Sequence, residues 1–149
     1  DVYNVSNGFI RGISIKTTVD EVKAAINEKD YIRVVKDGKV VSKGHNHVVE
    51  NNDPTCHGEI DAIRKACKKL KTFDLSGCEI YTTGYPCPMC FCAILWANID
   101  KIYYGCNTAD TEIIGFRDKA FEESIPQKKI DICNELDREA CLKLYNDYK

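Results

Sequence analysis

Residues 79–105, EIYTTGYPCPMCFCAILWANIDKIYYG, predict a strand, a helix and a second strand in that order. The expected strands are 79–83 and 101–105, which are rich in β-branched and aromatic residues. A helix is expected over 88–98, because Pro88 suits the first helical position. A strand–helix–strand unit of this length joins two parallel strands by a crossover. This stretch therefore predicts part of a parallel sheet with a helix packed on it.

The segments on either side complete an α/β pattern. Two β-rich runs, 31–35 and 40–41, flank Asp37-Gly38, which predicts a hairpin because a type I′ turn needs positive φ at both central residues. Helices are expected over three further segments: from Thr17 or Thr18 to Ile26, 57–70, and 135–148. The order of elements predicts an α/β sandwich, with one mixed sheet and helices on both faces, in a single domain 1–149.

Composition narrows the class of protein. The chain has 149 residues, 44% of them hydrophobic and 30% charged, and a formal net charge of -2. These values are typical of one globular domain and exclude a disordered or membrane-spanning chain. We see no signal-peptide pattern at the N-terminus and no basic excess, so a nucleic-acid partner is not expected. Nine cysteines, an odd count, favour a reducing, cytoplasmic compartment over a disulfide-linked secreted protein.

Two short motifs carry the chemistry, and both fall where a helix is expected to begin. The first is His57-Gly58-Glu59, and the second is the run Pro86–Cys90, which reads PCPMC. Cys87 is expected at the N-cap and Cys90 at the third helical position, where the helix dipole favours thiolates. Two thiolates and one imidazole, from His57, make a three-ligand zinc site that leaves the fourth position open for water.

Glu59 lies two residues beyond His57, within reach of such a water molecule but without a need to bind the metal. Zinc lowers the pKa of bound water towards ~7, and a carboxylate at this place could pass the proton to a leaving amine. H-x-E followed by P-C-x-x-C is the signature of zinc deaminases. The motifs therefore predict hydrolytic deamination with one zinc ion per chain.

Other interpretations of the same residues remain open. A C-x-x-C at a helix start also describes a thioredoxin-like redox site, but that interpretation assigns no role to His57 or Glu59. A structural zinc module without catalysis would need a fourth ligand, which Cys56 or Cys92 could supply. Trp96 is expected in core packing or at a helix interface.

The chain resembles the cytidine-deaminase-like superfamily, in the branch that contains guanine, cytosine and tRNA adenosine deaminases. It is most similar to the bacterial-type guanine deaminases. Four segments carry the resemblance: 52–67, 81–83, 86–90 and 115–118. The resemblance implies a three-layer α/β sandwich whose mixed sheet has about five strands. It also implies deamination of a free nucleobase, guanine to xanthine and ammonia, with cytosine deaminase or tRNA adenosine deaminase as alternatives.

The resemblance also assigns roles to individual residues. His57, Cys87 and Cys90 would bind zinc, Glu59 would move protons, and Asp118 would assist proton transfer. Substrate contacts are expected from the Asn46 side chain, the backbone of Gly58, the carbonyl of Tyr85 and the aromatic ring of Tyr148. The segment 135–149 would cross to a partner subunit, which implies a homodimer with an exchanged C-terminus.

Three positions depart from the family pattern. Gly58 replaces the usual Ala of His-Ala-Glu, and Tyr85 replaces the usual Glu before Pro-Cys. The stretch 29–32, Lys-Asp-Tyr-Ile, stands where the family has Pro-Phe-Gly-Ala. Arg33 then follows in a strand that is normally apolar.

Overall fold

The computed structural model describes residues 32–113 and 115–148, without the side chains of residues 110, 111 and 148. The expected helix from Thr17 or Thr18 to Ile26, and Tyr31 at the start of the first expected strand, lie outside the described residues. The strands are β1 Ile32–Lys36, β2 Lys39–Gly44, β3 Cys78–Gly84 and β4 Lys101–Cys106. The helices are α1 Val48–Asn51, α2 Gly58–Leu70, α3 Pro88–Trp96, α4 Thr108–Ile113, α5 Asp118–Ile132 and α6 Arg138–Tyr148.

The sheet is mixed, as the sequence predicts. Its strand order is β2-β1-β3-β4. β1 runs antiparallel to both β2 and β3, whereas β3 and β4 are parallel and connected through α3. The α/β fold is confirmed, with four strands in the part of the chain that the structure describes rather than about five.

The predicted hairpin joins β1 to β2. Asp37 and Gly38 have φ values of 51° and 74°, so both turn residues occupy the left-handed region that a type I′ turn requires. The register slips by one residue between Val34 and Val35, which marks a bulge just before the turn. The hairpin brings β2 back along β1 and delivers residues 45–47 to the end of the sheet where α2 begins.

The core lies between the sheet and α2 and α3. Four successive residues of β1, Ile32 to Val35, are buried, which shows that both faces of the sheet are covered at this strand. The fully buried side chains with the largest volumes come from several elements: Val34, Leu75, Cys78, Ile80, Thr82, Cys90 and Ile94. Arg33 is also buried, and its Nη1 donates to the carbonyl of Ile32 at 3.2 Å.

Close packing of β2 on α2 depends on a glycine. A β-carbon on Gly44 would lie 2.5 Å from the carbonyl oxygen of Gly58 and 2.6 Å from the backbone nitrogen of Ala62. Only glycine allows backbones to approach this closely. Ser42 adds a buried hydrogen bond across the same contact, because its hydroxyl donates to the carbonyl of Ala62 at 2.7 Å. The start of α2 is thus held against the end of β2.

The structure differs from the sequence prediction at four places. α1 lies within 45–55, where the sequence predicts a polar loop. α4 and α5, at Thr108–Ile113 and Asp118–Ile132, lie where the sequence pattern predicted no element; α5 has no apolar stripe and contains Pro126. α6 begins at Arg138 rather than 135. Trp96 is 86% exposed, so the expectation of core packing was wrong in this chain taken alone. None of the described helices is both long and apolar enough to span a membrane.

Candidate active site

Three metal-binding side chains meet at one end of the sheet. Nδ1 of His57 lies 3.6 Å from Sγ of Cys87 and 3.6 Å from Sγ of Cys90. Ligands in a tetrahedral zinc site with ordinary Zn–N and Zn–S bonds are separated by about 3.6 Å. The donor set and its spacing therefore fit zinc without rearrangement. Both sulfurs are buried and the imidazole is partly buried, so the three donors face a sheltered space.

Two helix starts bring these donors together. His57 is the N-cap of α2 and Cys87 is the N-cap of α3, each with extended backbone angles. Pro88 occupies the first turn of α3, and the backbone N–H of Cys90 donates to Sγ of Cys87 at 3.5 Å. Cys87 and Cys90 thus take the N-cap and third helical positions that the motif predicts. Both sulfurs lie at the positive end of the α3 dipole, which stabilises negative charge.

The pair of cysteines is electrostatically asymmetric. Hydrogen bonds from the Cys90 thiol and from His57 lower the pKa of Cys87 to about 4, so its sulfur is a thiolate at neutral pH. The Cys87 thiolate in turn raises the pKa of Cys90, and burial adds to this rise. The hydrogen bond to Cys87 also raises the pKa of His57. A divalent cation would displace the protons that these donors hold in its absence.

Two carboxylates accompany the donors. Burial raises the pKa of Glu59, and a hydrogen bond from Cys90 opposes that rise. Burial also raises the pKa of Asp118, and the nearby Cys87 thiolate acts in the same direction. Asp118 is the first residue of α5, so its position depends on a helix that the sequence did not predict. Burial thus favours the protonated form of both carboxyl groups, which suits them to exchange protons with a bound molecule.

A cleft of about 400 Å³ opens over this site. Among the residues predicted to contact substrate, Asn46, Gly58 and Tyr85 line the cleft, and so do Glu59 and Asp118. Tyr148 is the last residue of α6, and its side chain lies outside the described set, so its contact with substrate stays a prediction. The other residues that the sequence assigns to the site all lie at the cleft or in the three-donor cluster.

Five further residues line the cleft that the sequence did not assign to the site: Ile32, His45, Thr83, Gly84 and Phe116. Thr83 and Phe116 lie within the 81–83 and 115–118 segments of the family resemblance, and His45 directly precedes Asn46, so these three carried a local signal. Ile32 carried none, because it reaches the cleft only through the pairing of β1 in the sheet. Tyr85 contacts the ring of Tyr104 edge to face, with centroids 4.9 Å apart, which fixes the cleft wall beside Pro86.

The interpretation as a closed, four-ligand zinc site lacks a fourth donor. Among the described residues, the group that contains His57, Cys87 and Cys90 includes neither Cys56 nor Cys92. The Cys56 sulfur instead accepts a hydrogen bond from Asn51 at 3.7 Å, and Cys92 is exposed on α3. The site is therefore open on the side of the cleft.

An α/β domain with an imidazole, two thiolates and an adjacent carboxylate at paired helix starts defines the class of zinc-binding deaminase domains. The chain belongs to the family of the cytidine and deoxycytidylate deaminase zinc-binding region, whose model matches residues 32–106. Zinc is accordingly the metal of this domain, and His57, Cys87 and Cys90 could form its site.

The chain is similar to proteins of two kinds, a guanine deaminase and a tRNA-specific adenosine deaminase. The chain is 44% identical to the guanine deaminase of Bacillus subtilis over 92 residues, which are 62% of this chain and 59% of that protein. It is 43% identical to the tRNA-specific adenosine deaminase of Aquifex aeolicus over 94 residues, 60% of this chain and 62% of that protein. These matches span about three-fifths of each relative's length. The X-ray structure of the Bacillus subtilis guanine deaminase has a TM-score of 0.63 at 34% identity, covering 78% of this chain and 73% of that one.

Proposed function

We propose that the protein is a zinc-dependent hydrolase that deaminates a free nucleobase, with guanine as the substrate and xanthine and ammonia as the products. One observation carries the proposal: a desolvated carboxyl group, Glu59, stands beside an open three-donor metal site at the bottom of a cleft. A closed structural site would need neither the opening nor the carboxylate.

The chain's own residues supply proton transfer and positioning. Zinc held by His57, Cys87 and Cys90 would lower the pKa of a water molecule so that hydroxide is available near neutral pH. Glu59 takes one proton from a water molecule and delivers it to a ring nitrogen; it then takes the proton of the hydroxyl group newly added to carbon and delivers it to the leaving amine. The carbonyl forms as the carbon–nitrogen bond breaks, so guanine and water become xanthine and ammonia. Asp118, which also lines the cleft, assists the second transfer.

Substrate positioning falls to residues at the edges of the cleft. Oδ1 of Asn46 accepts a hydrogen bond from the backbone N–H of Val48 at 2.9 Å, which orients the amide. Its Nδ2 is then available to an acceptor on the purine ring. The backbone of Gly58 contacts the base, and the carbonyl of Tyr85 accepts from the leaving amine. Phe116, with 56% of its surface exposed at the cleft, offers a face on which the ring can stack.

Guanine is preferred over a tRNA substrate because of size and charge. A cleft of about 400 Å³ falls in the range of small-molecule pockets. A protein that grips a folded RNA through its phosphates needs a basic surface, whereas this chain has a net charge of -2. Because one relative is named a tRNA-specific adenosine deaminase, the assay must also include a tRNA substrate. It must include cytosine as well, since cytosine deamination is the other alternative.

The test is ammonia release from guanine, cytosine, adenine, their nucleosides and a tRNA anticodon stem-loop, with protein of measured zinc content. Release from guanine alone supports the proposal. Release from another base or from the stem-loop would overturn the choice of substrate and retain the reaction. No release from any of them, with one zinc bound per chain, would overturn the enzymatic proposal in favour of a structural zinc module.

We further propose a homodimer in which segment 135–149 completes the partner's site. All described residues from 130 to 147 are exposed, including six large apolar side chains: Ile130, Ile132, Leu136, Leu142, Leu144 and Tyr145. Leu95 and Trp96, at the end of α3, are exposed as well. Exposed apolar area of this extent is characteristic of association surfaces.

The nine cysteines are all free thiols, which supports placement in the reducing cytoplasm.

A further inference from the structure

A second cluster of metal-binding side chains lies beside the candidate active site. His45 and His47 follow the end of β2, and Asp61 lies in the first turn of α2. One potential ligand atom from each of the three residues lies within 4.8 Å of the others. All three residues are partly buried, and none of them belongs to the zinc site of His57, Cys87 and Cys90. We propose that His45, His47 and Asp61 form a second site for a divalent transition-metal ion of the zinc type.

The spacing of the donors suits a first-row metal. Nε2 of His47 lies 3.3 Å from Oδ2 of Asp61, and ligands of a tetrahedral site with nitrogen and oxygen donors are about 3.4 Å apart. The ring centroids of His45 and His47 are 3.8 Å apart with the planes tilted by 45°, so the two imidazoles lie against each other, and one nitrogen of each lies within 4.8 Å of the other. Two imidazoles and one carboxylate select zinc, copper or nickel over calcium and magnesium.

A second carboxylate orients one of the imidazoles. Nδ1 of His47 lies 2.9 Å from Oε2 of Glu50, one turn further along the chain. Ligating histidines characteristically donate their other ring N–H to a carboxylate, which fixes the tautomer. Without a metal, both ring nitrogens of His47 face carboxylates, and the hydrogen bond to Glu50, together with Asp61, raises the pKa of His47. A bound metal would displace the proton of Nε2, while Nδ1–H would remain directed to Glu50.

Asp61 is positioned by a hydrogen bond, and a metal ion can displace Lys65, its ion-pair partner. Its Oδ2 accepts from the backbone N–H of His45 at 3.2 Å and lies 3.0 Å from Nζ of Lys65. The Lys65 side chain is about half exposed and also donates to the carbonyl of Lys43 at 3.2 Å. Lys65 therefore competes with a cation for Asp61, but a metal can displace it at little cost because the ammonium group can return to water.

The simpler alternative is an ion-pair cluster of His47, Glu50, Asp61 and Lys65 that binds no metal. The two interpretations differ in the effect of Lys65. If the cluster is a metal site, Lys65→Gln removes a competing cation and tightens metal binding. If it is only an ion-pair cluster, Lys65→Gln creates no metal affinity.

The test measures zinc per chain by equilibrium dialysis and elemental analysis, together with the imidazole ¹⁵N spectrum during zinc titration. The chain has only three histidines, so each imidazole can be followed separately. The first equivalent should shift His57 alone, and the second should shift His45 and His47. His47→Gln should abolish the second equivalent, Glu50→Gln should weaken it about 10- to 100-fold, and Lys65→Gln should tighten it.

The first zinc site serves as the internal control for folding, since every variant must retain one tightly bound zinc. Binding of a single equivalent by the wild-type chain, with His45 and His47 unshifted, would overturn the second site. A second equivalent that persists in His47→Gln would also overturn it, because that metal would be bound elsewhere. None of these readouts depends on catalysis. Absence of a second metal site would therefore not contradict the proposed deamination, and absence of deamination would not contradict the second metal site.

Discussion

The side chain of Ile32 occupies the space that a β-carbon on Gly58 would need. A β-carbon built there would lie 2.8 Å from Cγ1 of Ile32, which is closer than real carbon atoms approach. The family resemblance implies alanine at both positions, from the patterns His-Ala-Glu and Pro-Phe-Gly-Ala. Against those patterns the two departures would compensate: a larger residue on β1 is matched by a smaller one at the start of α2. Both residues line the cleft, so the exchange reshapes its wall without changing the metal ligands.

This contact predicts that the effect of Gly58→Ala on the free energy of unfolding depends on residue 32. The substitution should destabilise the wild-type chain and stabilise a chain that also carries Ile32→Ala. In the wild-type chain the added methyl group forces buried Ile32 off its rotamer, and we expect a loss of about 1–3 kcal/mol in unfolding free energy. In an Ile32→Ala background the space is open, and the same substitution should stabilise by about 0.4–1 kcal/mol through the unfolded chain. Denaturant unfolding of the four variants measures both effects. Equal effects in the two backgrounds would contradict the compensation.

Gly44→Ala should be more destabilising than Gly58→Ala, and no side-chain substitution should rescue it. The added β-carbon would meet the Gly58 carbonyl oxygen and the Ala62 nitrogen, both backbone atoms. β2 would have to move away from α2, breaking the Ser42 hydrogen bond to Ala62. Thermal unfolding measures the loss, with Ser42→Ala as the control for that hydrogen bond alone. A melting temperature for Gly44→Ala no lower than that of Ser42→Ala would show that the contact is looser than described.

Glu59→Gln should retain zinc and lose turnover. The amide keeps the size of the carboxyl group but cannot accept and release a proton, and proton transfer by a positioned side chain contributes about 10²- to 10⁴-fold. We therefore expect kcat on the active substrate to fall at least about 100-fold, with zinc at His57, Cys87 and Cys90 retained as in the wild-type chain. The comparison variant is Cys87→Ser, which should lose zinc and turnover together. Full turnover by Glu59→Gln would remove Glu59 from the mechanism.

Mixing experiments can decide whether the C-terminal segment acts on the partner subunit. A chain that ends at residue 134 keeps Glu59 but lacks α6, whereas full-length Glu59→Gln has α6 but lacks the proton carrier. Each should be inactive alone. If the segment crosses between subunits, co-expression restores activity, because the truncated chain receives α6 from its partner. The control combines the truncated chain with a truncated Glu59→Gln chain. Absence of rescue in dimers of confirmed mixed composition would show that α6 serves its own chain.

The turn after α2 should make the free energy of unfolding depend on pH in the acidic range. Hydrogen bonds from the side chain and backbone of Ser76 hold the pKa of Asp74 below its ordinary value of 3.8. Because the folded-state pKa is lowered, the contribution is complete above the unfolded pKa and is lost as pH falls through the folded value. Asp74→Asn should therefore destabilise the protein at neutral pH, and its difference from wild type should shrink below about pH 4.

Denaturant midpoints between pH 7 and pH 2.5 measure this dependence, with Asp100→Asn, at an exposed residue just before β4, as the matched control. The control should differ little from wild type at any pH, because surface substitutions away from such contacts are near neutral. A constant difference between Asp74→Asn and wild type across the range would show that the carboxylate charge is not what the turn uses.

Local sequence signals determined most of the described secondary structure and the identity of the metal donors. Asp37-Gly38 predicted the hairpin because the turn type depends on only two backbone conformations. His57 and Glu59, together with the Pro86–Cys90 motif, predicted the zinc site because each motif lies within one helical turn. Such patterns involve neighbours along the chain, so their physics is present in the sequence alone.

Only the tertiary structure decided which distant residues share a wall or a ligand set. Ile32 and Gly58 come from a strand and a helix start 26 positions apart (58 − 32), and their size exchange is invisible until the elements pack. The meeting of His45 and His47 with Asp61 depends on how β2 ends against α2, which Gly44 permits. The arrival of Asp118 depends on α5, a helix without an apolar stripe that sequence periodicity cannot reveal. These relationships are set by packing between elements, where the contribution of each residue depends on neighbours that are remote in sequence.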